Sequence, residues 1–312
     1  MNKLLILSAE AAKYTKLIRA ADLRQLEVRS TSDVESAKPL IAGCNMMLGD
    51  PPLIGQLLPF ADQLEWVQSS WAGVDHLCRQ NLRRDYTLTN AKGIFGPLVS
   101  EYVMTYLFGF ERRIFDMKSN QLNHNWRPLA YRPANEIELG IIGLGSIGRH
   151  LAMTARHFGL RVTGLNRSGS PCDEVEKVYT KEALADFLET LDYVVLTLPA
   201  TPETEHLVDA DVLRLMKPSS ILMNVGRGNS INEDDLVQAL REGVIGGAVL
   251  DVFEKEPLPQ DSPLWQLTNV YVTPHSSANS FPEDITAVFI ENYQRFLRRE
   301  PLLHVVDFEL GY

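Results

Sequence analysis

The chain has 312 residues, of which 45% are hydrophobic and 22% are charged, and its formal net charge is −10. This length exceeds that of most single hydrophobic cores, so we expect two domains, and the composition excludes disordered and fibrous proteins. The negative charge disfavours nucleic acid and anionic lipid as partners, and an anionic substrate would need a local site of backbone amides or arginine.

Cysteine usage and apolar runs bear on the cellular compartment. The three cysteines have no CxxC spacing, which argues against a disulfide framework and against a zinc site. No apolar run approaches the ~20 residues that span a bilayer, and the first apolar run is too short for a signal peptide. We therefore expect a cytoplasmic protein without a membrane segment and without a bound metal.

Short apolar runs alternate with amphipathic stretches over the first hundred residues, for example at 4–7 and 64–68. This alternation predicts a βαβα series with a parallel sheet. From residue 96 to about residue 123, apolar side chains recur every three or four positions, which predicts one long helix.

A second βαβα series follows, in which short apolar segments predict buried parallel strands. The predicted strands are 138–142, 161–165, 193–198, 220–224, 247–252 and 270–273. A last helix is expected at Pro282–Arg298, and residues 304–306 are expected to return to the first domain as an edge strand.

The predicted fold class is therefore α/β, with two doubly wound parallel-sheet domains. Residues 96–281 would form a dinucleotide-binding domain, and residues 1–95 with 282–312 would form a discontinuous substrate (catalytic) domain. The active site is expected in the cleft between them.

The segment Gly143-Leu144-Gly145-Ser146-Ile147-Gly148 joins a predicted strand to a predicted helix, and this context supports a motif that is weak alone. Gly143 permits the tight turn, Gly145 lets the backbone approach a pyrophosphate, and Gly148 allows close helix–strand packing. The helix N-terminus offers free amides and a positive dipole to phosphates. We predict a nicotinamide dinucleotide here and thus an oxidoreductase; the alternative is a glycine-rich loop without a ligand.

The next predicted strand ends in Asn166-Arg167-Ser168 instead of the acidic residue that accepts from the ribose 2′-OH of NAD(H). Arg167 offers a planar donor fork that suits a 2′-phosphate, and Ser168 offers a further donor. We therefore favour NADP(H), although an arginine that is simply exposed after the strand would leave NAD(H) possible.

Later predicted strand ends carry residues suited to the reduction of a 2-oxo acid. Such a substrate needs a cation for its carboxylate and carbonyl, which Arg227 provides, and an acid for its oxygen, which His275 provides. A carboxylate beside His275 would orient the ring and favour its protonated form, and on physical grounds Glu254 and Glu256 are both candidates. Because open α/β sheets bind ligands at the carboxyl ends of their strands, we expect these residues to share one site.

These segments together resemble the D-isomer-specific 2-hydroxyacid dehydrogenases, over nearly the whole chain. The resemblance is carried by 72–75, 143–148, 198–204, 224–228, 251–257 and 262–275. It implies a Rossmann-type nucleotide domain, a flavodoxin-like substrate domain and usually a homodimer. Within the family the chain looks most like the glyoxylate/hydroxypyruvate reductases, which reduce small 2-oxo acids to 2-hydroxy acids.

The resemblance also implies roles for single residues. The catalytic arginine falls on Arg227, the acid–base histidine on His275, and the carboxylate that pairs with the histidine on Glu256. The further dinucleotide contacts that it implies are Pro199, Thr204, Val225 and Asp251, the last of which would hold the nicotinamide carboxamide. The residues whose amides would grip the substrate carboxylate are Ala72, Gly73 and Val74.

The chain departs from the family pattern near the substrate. Trp71 stands where a small residue is expected, and such a bulky neighbour would narrow or reshape the substrate pocket. Residues 276–279 depart from the commoner glycine- or alanine-rich continuation after the histidine. Trp126 would line the substrate mouth or pack between the domains.

Other functions fit the same fold. Formate- and phosphite-type dehydrogenases are one alternative, but Glu256 stands where formate dehydrogenases carry glutamine. A second alternative is an NAD-dependent D-2-hydroxyacid dehydrogenase of another substrate. A nucleotide-sensing corepressor or scaffold is the non-enzymatic alternative.

Overall fold

The computed structural model describes all 312 residues, which divide into two compact units. Residues 1–94 and 280–312 form the first unit, and residues 95–279 form the second. None of the helices is both long enough and apolar enough to cross a bilayer. The roles expected for the two domains stay predictions.

The elements alternate along the chain. The strands are β1 (Asn2–Leu7), β2 (Leu26–Thr31), β3 (Met46–Gly49), β4 (Trp66–Ser69), β5 (Thr87–Thr89), β6 (Glu138–Ile142), β7 (Arg161–Leu165), β8 (Val178–Tyr179), β9 (Tyr193–Leu196), β10 (Ile221–Asn224), β11 (Gly247–Leu250) and β12 (Val270–Val272). The α-helices are α1 (Ala11–Ala20), α2 (Val34–Ala37), α3 (Pro51–Leu57), α4 (Gly96–Glu111), α5 (Ile114–Leu122), α6 (Ser146–His157), α7 (Leu184–Leu188), α8 (Ala210–Arg214), α9 (Glu233–Glu242) and α10 (Pro282–Arg298).

In the first unit, a parallel sheet has the strand order β2-β1-β3-β4-β5, which is the flavodoxin-like order. On one face, Leu5 of β1 lies in a hydrophobic cluster with Ile54 of α3. On the other face, the Trp66 indole stacks on the Phe289 ring of α10, with 5.1 Å between the ring centroids. The last helix of the chain thus completes the unit that the first residues begin.

In the second unit, a parallel sheet has the order β12-β11-β10-β9-β6-β7-β8, which is the Rossmann order with one added strand. Side chains alternate between two cores, as the period of two in a strand requires. Ile141 and Val195 lie in one buried cluster, and their neighbours Ile142 and Leu196 lie in the other. The predicted fold class, with two parallel α/β sheets, is confirmed.

The prediction of one helix over residues 96–123 is wrong. Helix α4 ends at Glu111 and α5 begins at Ile114, because Arg113 between them has a left-handed φ of 53°. A left-handed residue turns the chain out of the right-handed helix and costs an L-residue about 1–2 kcal/mol. Helix α5 has no buried residue: Phe115 packs on the Tyr271 ring, with 4.7 Å between the centroids, and Ile114, Met117 and Leu122 are exposed.

The tail and some strand ends also differ from the prediction. Residues 304–306 form only one antiparallel bridge, between Thr89 and Val305, since the left-handed φ of His304 (59°) interrupts the extended backbone. Strands β9 and β11 each end two residues before their predicted ends, at Leu196 and Leu250. The residues that follow leave the sheet and form loops that carry candidate site residues.

Candidate active site

The strands of the second unit end together at one edge of its sheet, because the sheet is entirely parallel. In the register, Asn224 of β10 pairs with Leu250 of β11, and Leu250 pairs with Val272 of β12. The loops that carry the predicted arginine, carboxylates and histidine therefore begin side by side. We call this side of the sheet its carboxyl edge.

The turn between β6 and α6 uses each glycine differently. Gly143 has a φ of 106°, which L side chains rarely adopt, and a Cβ at Gly148 would lie 2.0 Å from the Gly143 carbonyl oxygen. These two glycines are therefore required by the fold itself. A Cβ at Gly145, in contrast, would meet nothing within 4 Å. The space beside Gly145 suits the close approach of a ligand to the backbone.

The first turn of α6 offers amides to such a ligand. The first intrahelical hydrogen bond runs from the Arg149 N–H to the Gly145 carbonyl oxygen, at 3.0 Å. The amides of Ser146, Ile147 and Gly148 lie ahead of it, where a helix has no internal acceptors for them. Together with the helix dipole, they fit the phosphates of a dinucleotide.

The loop after β7 holds Arg167 at the surface. The Asn166 side chain donates to the Ser170 carbonyl oxygen at 3.0 Å, and the Ser168 and Ser170 hydroxyls lie 2.8 Å apart. The Arg167 side chain is 63% exposed, and its Nη1 lies 3.5 Å from the Glu203 carboxylate. An exposed ion pair is weak, so Arg167 can turn to another anion.

The loop after β9 is closed by a hydroxyl. Thr204 Oγ1 donates to the Pro199 carbonyl oxygen at 2.7 Å and accepts from the Thr201 N–H at 2.9 Å. Thr204 therefore shapes the loop, whereas the adenosine contacts expected of Pro199 and Thr204 stay predictions.

Arg227 lies between two glycines that the backbone requires. A Cβ at Gly226 would lie 2.6 Å from the Leu198 nitrogen, and a Cβ at Gly228 would lie 1.9 Å from the Phe253 carbonyl carbon. The arginine loop is thus packed directly between the loops after β9 and β11. The predicted nucleotide contact Val225, which is buried, precedes this loop.

Two buried polar residues that the sequence analysis did not single out shape the arginine loop. Asn224 donates to the Arg227 carbonyl oxygen at 3.0 Å and accepts from the Gly226 N–H at 3.1 Å. The Ser230 hydroxyl donates to the same Arg227 oxygen at 2.7 Å. A polar residue at the last position of a buried strand was the available signal for Asn224.

His275 and Glu256 form a direct pair. His275 Nδ1 lies 2.8 Å from Glu256 Oε2, and the other carboxylate oxygen accepts from the Phe253 N–H at 3.0 Å. The hydrogen bond to Glu256 raises the pKa of His275 against the effects of desolvation and of the Arg227 charge. Burial acts to raise the pKa of Glu256, but the hydrogen bonds from His275 and Phe253 outweigh it and lower that pKa. The charged pair is thus favoured at neutral pH.

The structure separates the two carboxylates that physical reasoning left open. Glu256 contacts His275, whereas Glu254 Oε1 lies 2.9 Å from His206 Nε2 and accepts from the Glu233 N–H at 3.2 Å. The two side chains leave the same loop after β11 and take different partners.

Asp251 is fully buried and orders the segment that carries His275. Its carboxylate accepts from the Thr273 hydroxyl at 2.6 Å and from the Ser276 and Ser277 amides at 2.7 and 2.9 Å. Its carbonyl oxygen accepts from the His275 N–H at 2.8 Å. The carboxylate thus serves the protein itself, and the contact to a nicotinamide carboxamide stays a prediction.

The predicted carboxylate-binding segment belongs to the first unit and follows β4. The Ala72 carbonyl oxygen accepts from the Asn90 side chain at 2.9 Å, and Val74 is buried, so the turn around Gly73 is held at both ends. The Ser69 hydroxyl bonds the Trp71 N–H and carbonyl oxygen at 3.0 and 2.9 Å. The contacts of this segment with a substrate stay predictions.

The second unit combines a Rossmann sheet, a glycine turn with room beside Gly145, and a histidine–carboxylate pair at one edge. This combination is that of a dinucleotide-dependent oxidoreductase.

Comparisons with known proteins identify the family. The model for the NAD binding domain of D-isomer specific 2-hydroxyacid dehydrogenases matches residues 104–277. Glyoxylate/hydroxypyruvate reductase A of Serratia proteamaculans is 31% identical over 266 residues, which cover 82% of this chain and 84% of that protein. The chain therefore belongs to the D-isomer specific 2-hydroxyacid dehydrogenase family.

Solved structures agree with this assignment. A D-isomer specific 2-hydroxyacid dehydrogenase family protein from Aeromonas salmonicida is 45% identical, with a TM-score of 0.94 over 98% of this chain and 99% of that one. An NADPH-dependent glyoxylate/hydroxypyruvate reductase from Sinorhizobium meliloti, solved with NADP and sulfate, is 29% identical, with a TM-score of 0.88 over 100% of both chains. The predicted family and the predicted class, an NAD(P)-dependent dehydrogenase, are confirmed.

Proposed function

We propose that the chain reduces small 2-oxo acids such as glyoxylate and hydroxypyruvate to 2-hydroxy acids with NADPH. The observation that carries the proposal is the 2.8 Å contact between His275 and Glu256, whose loops begin at the carboxyl edge beside the Arg227 loop. The named activities of the relatives from Serratia proteamaculans and Sinorhizobium meliloti support the choice of substrates.

We propose NADP(H) as the preferred cofactor and NAD(H) as the weaker one. The loop after β7 has Asn166 where a carboxylate would repel a 2′-phosphate, and the exposed Arg167 and Ser168 offer donors. The NADP bound in the relative from Sinorhizobium meliloti supports this preference. The turn at 143–148 would hold the pyrophosphate; the remaining contacts would come from Pro199, Thr204, Val225 and Asp251.

The bound nicotinamide supplies the hydride that this reduction requires. Arg227 binds the substrate carboxylate and polarises the carbonyl with its planar donor fork. The proton comes from Nε2 of His275, because Nδ1 of the ring faces Glu256. After the transfer, the neutral ring keeps its Nδ1–H on Glu256, so the carboxylate holds both the tautomer and the orientation.

The raised pKa of His275 suits an acid that must be charged at neutral pH. Reduction needs the protonated ring, so the rate falls as the pH rises through this raised pKa. Oxidation of the 2-hydroxy acid needs the neutral ring, so its rate rises over the same pH range.

We propose that the amides of Ala72, Gly73 and Val74 bind the substrate carboxylate, with the bulky Trp71 side chain beside them limiting the substrate to small 2-oxo acids. A matched pair of substrates tests the size limit, since phenylpyruvate should have a far lower kcat/KM than glyoxylate. Substitution of Trp71 by alanine should narrow that difference.

We further propose that the chain forms a homodimer through α5 and the segment that follows it. The exposed apolar side chains there include Phe115, Met117, Leu122 and Trp126, and the last is 99% exposed. An apolar patch of this kind is typical of a protein interface. The mass measured by light scattering after gel filtration tests the dimer. The cytoplasmic location stays a prediction.

NADPH oxidation with glyoxylate, hydroxypyruvate, pyruvate and phenylpyruvate tests the proposed function. We expect the highest kcat/KM with the first two substrates, and a higher value for NADPH than for NADH. Tight NADPH binding without turnover of any 2-oxo acid would favour the nucleotide-sensing scaffold.

A further inference from the structure

Three side chains that the proposed reaction does not use connect neighbouring loops of the second unit. His206 Nε2 lies 2.9 Å from Glu254 Oε1. Glu254 Oε1 also accepts from the Glu233 N–H at 3.2 Å, and the Glu254 N–H donates to Glu233 Oε1 at 2.6 Å. Glu233 and Glu254 thus bond each other reciprocally, side chain to backbone. We call His206, Glu233 and Glu254 the loop brace.

The loop brace connects the two loops that carry the proposed catalytic side chains. The backbone N–H of His206 donates to the carbonyl oxygen of Asn229 at 2.8 Å, and Asn229 lies two residues after Arg227. Glu254 directly follows Phe253, whose N–H holds Glu256 at 3.0 Å. The segment around Glu254 has neither helix nor strand, so these hydrogen bonds, and not a regular backbone ladder, determine its conformation.

The brace brings carboxylates close together, and His206 lies against one of them. Burial, followed by the neighbouring carboxylates of Glu254, Asp234 and Glu256, raises the pKa of Glu233 although the Glu254 amide acts to lower it. His206 supplies an N–H donor, and when protonated a positive charge, against these carboxylates. The side chains of His206 and Glu254 are 45% and 38% exposed, so their pairing adds little to overall stability.

We propose that Glu254 is a positioning residue of this enzyme: the loop brace holds the Phe253 amide and Glu256 in the arrangement that places Glu256 on His275. The inference rests on the proposed function, because His275 is the acid of that reaction. It gives a separate task to the carboxylate that physical reasoning from the sequence, without the family resemblance, could not distinguish from Glu256.

Three variants isolate the brace in kinetic measurements. Glu254→Ala removes both accepted hydrogen bonds, whereas Glu254→Gln removes the charge and keeps an oxygen acceptor. Glu205→Ala is the matched control, since it removes an exposed carboxylate beside His206 that lies outside the brace. We expect Glu254→Ala to lower kcat about tenfold with little change in KM, because a small displacement of a catalytic group is costly. Glu254→Gln should recover most of the loss, and Glu205→Ala should behave as wild type.

The pKa of His275, measured by NMR titration of its ring, gives a readout that needs no turnover. The ring signal is assigned from its absence in His275→Asn. The charged groups that face the ring are Glu256, Arg227 and Asp251. Glu254→Ala should lower the pKa of His275 toward its ordinary value, because the Glu256 contact is then formed less often. Glu254→Gln should leave it raised.

The outcomes separate this inference from the proposed function. An unchanged pKa of His275 in Glu254→Ala, or equal effects of the alanine and glutamine variants, would overturn the positioning role. If Glu254→Ala lowers the pKa of His275 but the wild-type protein turns over no 2-oxo acid, only the proposed function is overturned. If Glu254→Ala does not fold, His206→Ala removes the histidine donor to Glu254 instead and should lower the pKa of His275. His206→Gln, which keeps an N–H donor, should restore the wild-type pKa of His275.

Discussion

Gly145→Ala should weaken cofactor binding without harming the fold. Gly145 has a φ of −77° and a ψ of −164°, which any residue adopts, and its Cβ would meet nothing within 4 Å. An alanine stabilises such a position by about 0.4–1 kcal/mol through the unfolded chain. It loses a comparable amount because alanine is a poor N-cap. The free energy of unfolding should therefore change by less than about 1 kcal/mol.

The added methyl group of Gly145→Ala projects into the space that the pyrophosphate is expected to use. Loss of even one charge-assisted hydrogen bond costs about 1.5–3 kcal/mol. Since 1.4 kcal/mol corresponds to a factor of ten, the Kd for NADPH should rise at least about tenfold. Catalysis at low NADPH should fall in proportion.

Gly148→Ala is the matched comparison. Its Cβ would lie 2.0 Å from the Gly143 carbonyl oxygen, an overlap that neither backbone can relieve cheaply. We expect this variant to lose at least about 1–3 kcal/mol of stability, since overpacked sites lose that much even where side chains can move. Calorimetric titration with NADPH and urea unfolding measure the two effects separately. Wild-type affinity for NADPH in Gly145→Ala would refute the placement of the pyrophosphate.

Further predictions concern the acid, the cation and the cofactor. Glu256→Gln should lower the pKa of His275, so the falling limb of the pH profile for reduction moves to lower pH; an unmoved limb would contradict the pairing. Arg227→Ala should raise KM and lower kcat. It should also move the falling limb to higher pH, because the Arg227 charge lowers the pKa of His275; a shift of the limb to lower pH would contradict this effect of Arg227. Arg167→Ala should lower kcat/KM for NADPH about tenfold and leave kcat/KM for NADH unchanged. The control Glu203→Gln removes only the partner carboxylate of Arg167 and should not lower kcat/KM for NADPH. Equal losses with both cofactors would argue against a 2′-phosphate contact.

The buried strands of the second unit and the glycine turn were predictable because their signals are local. A buried parallel strand is a short apolar run, and the turn after β6 needs glycine at Gly143 and Gly148 for steric reasons that the spacing records. The break at Arg113 was not predictable, since an arginine in a left-handed conformation leaves no mark in the helical periodicity.

The choice between Glu254 and Glu256 illustrates the other limit. Both carboxylates follow β11 within one short loop, and physical reasoning from composition treats them alike; only the family resemblance favoured Glu256. Their partners, His206 and His275, are distant in sequence and approach through the loops after β9 and β12. Which carboxylate meets which histidine is thus a property of the folded chain, not of the loop.

The return of α10 to the first unit affects the order in which the two units can fold during protein synthesis. The ribosome releases β1 to β5 first, but Phe289, which covers Trp66, emerges only after the whole of residues 95–279. The second unit is continuous, so we expect it to fold before the first unit is complete, whereas N-terminal domains usually fold first. Until residues 282–298 have emerged, the nascent chain lacks the helix that covers the sheet face around Trp66. Chaperone capture of the nascent chain should therefore centre on this face.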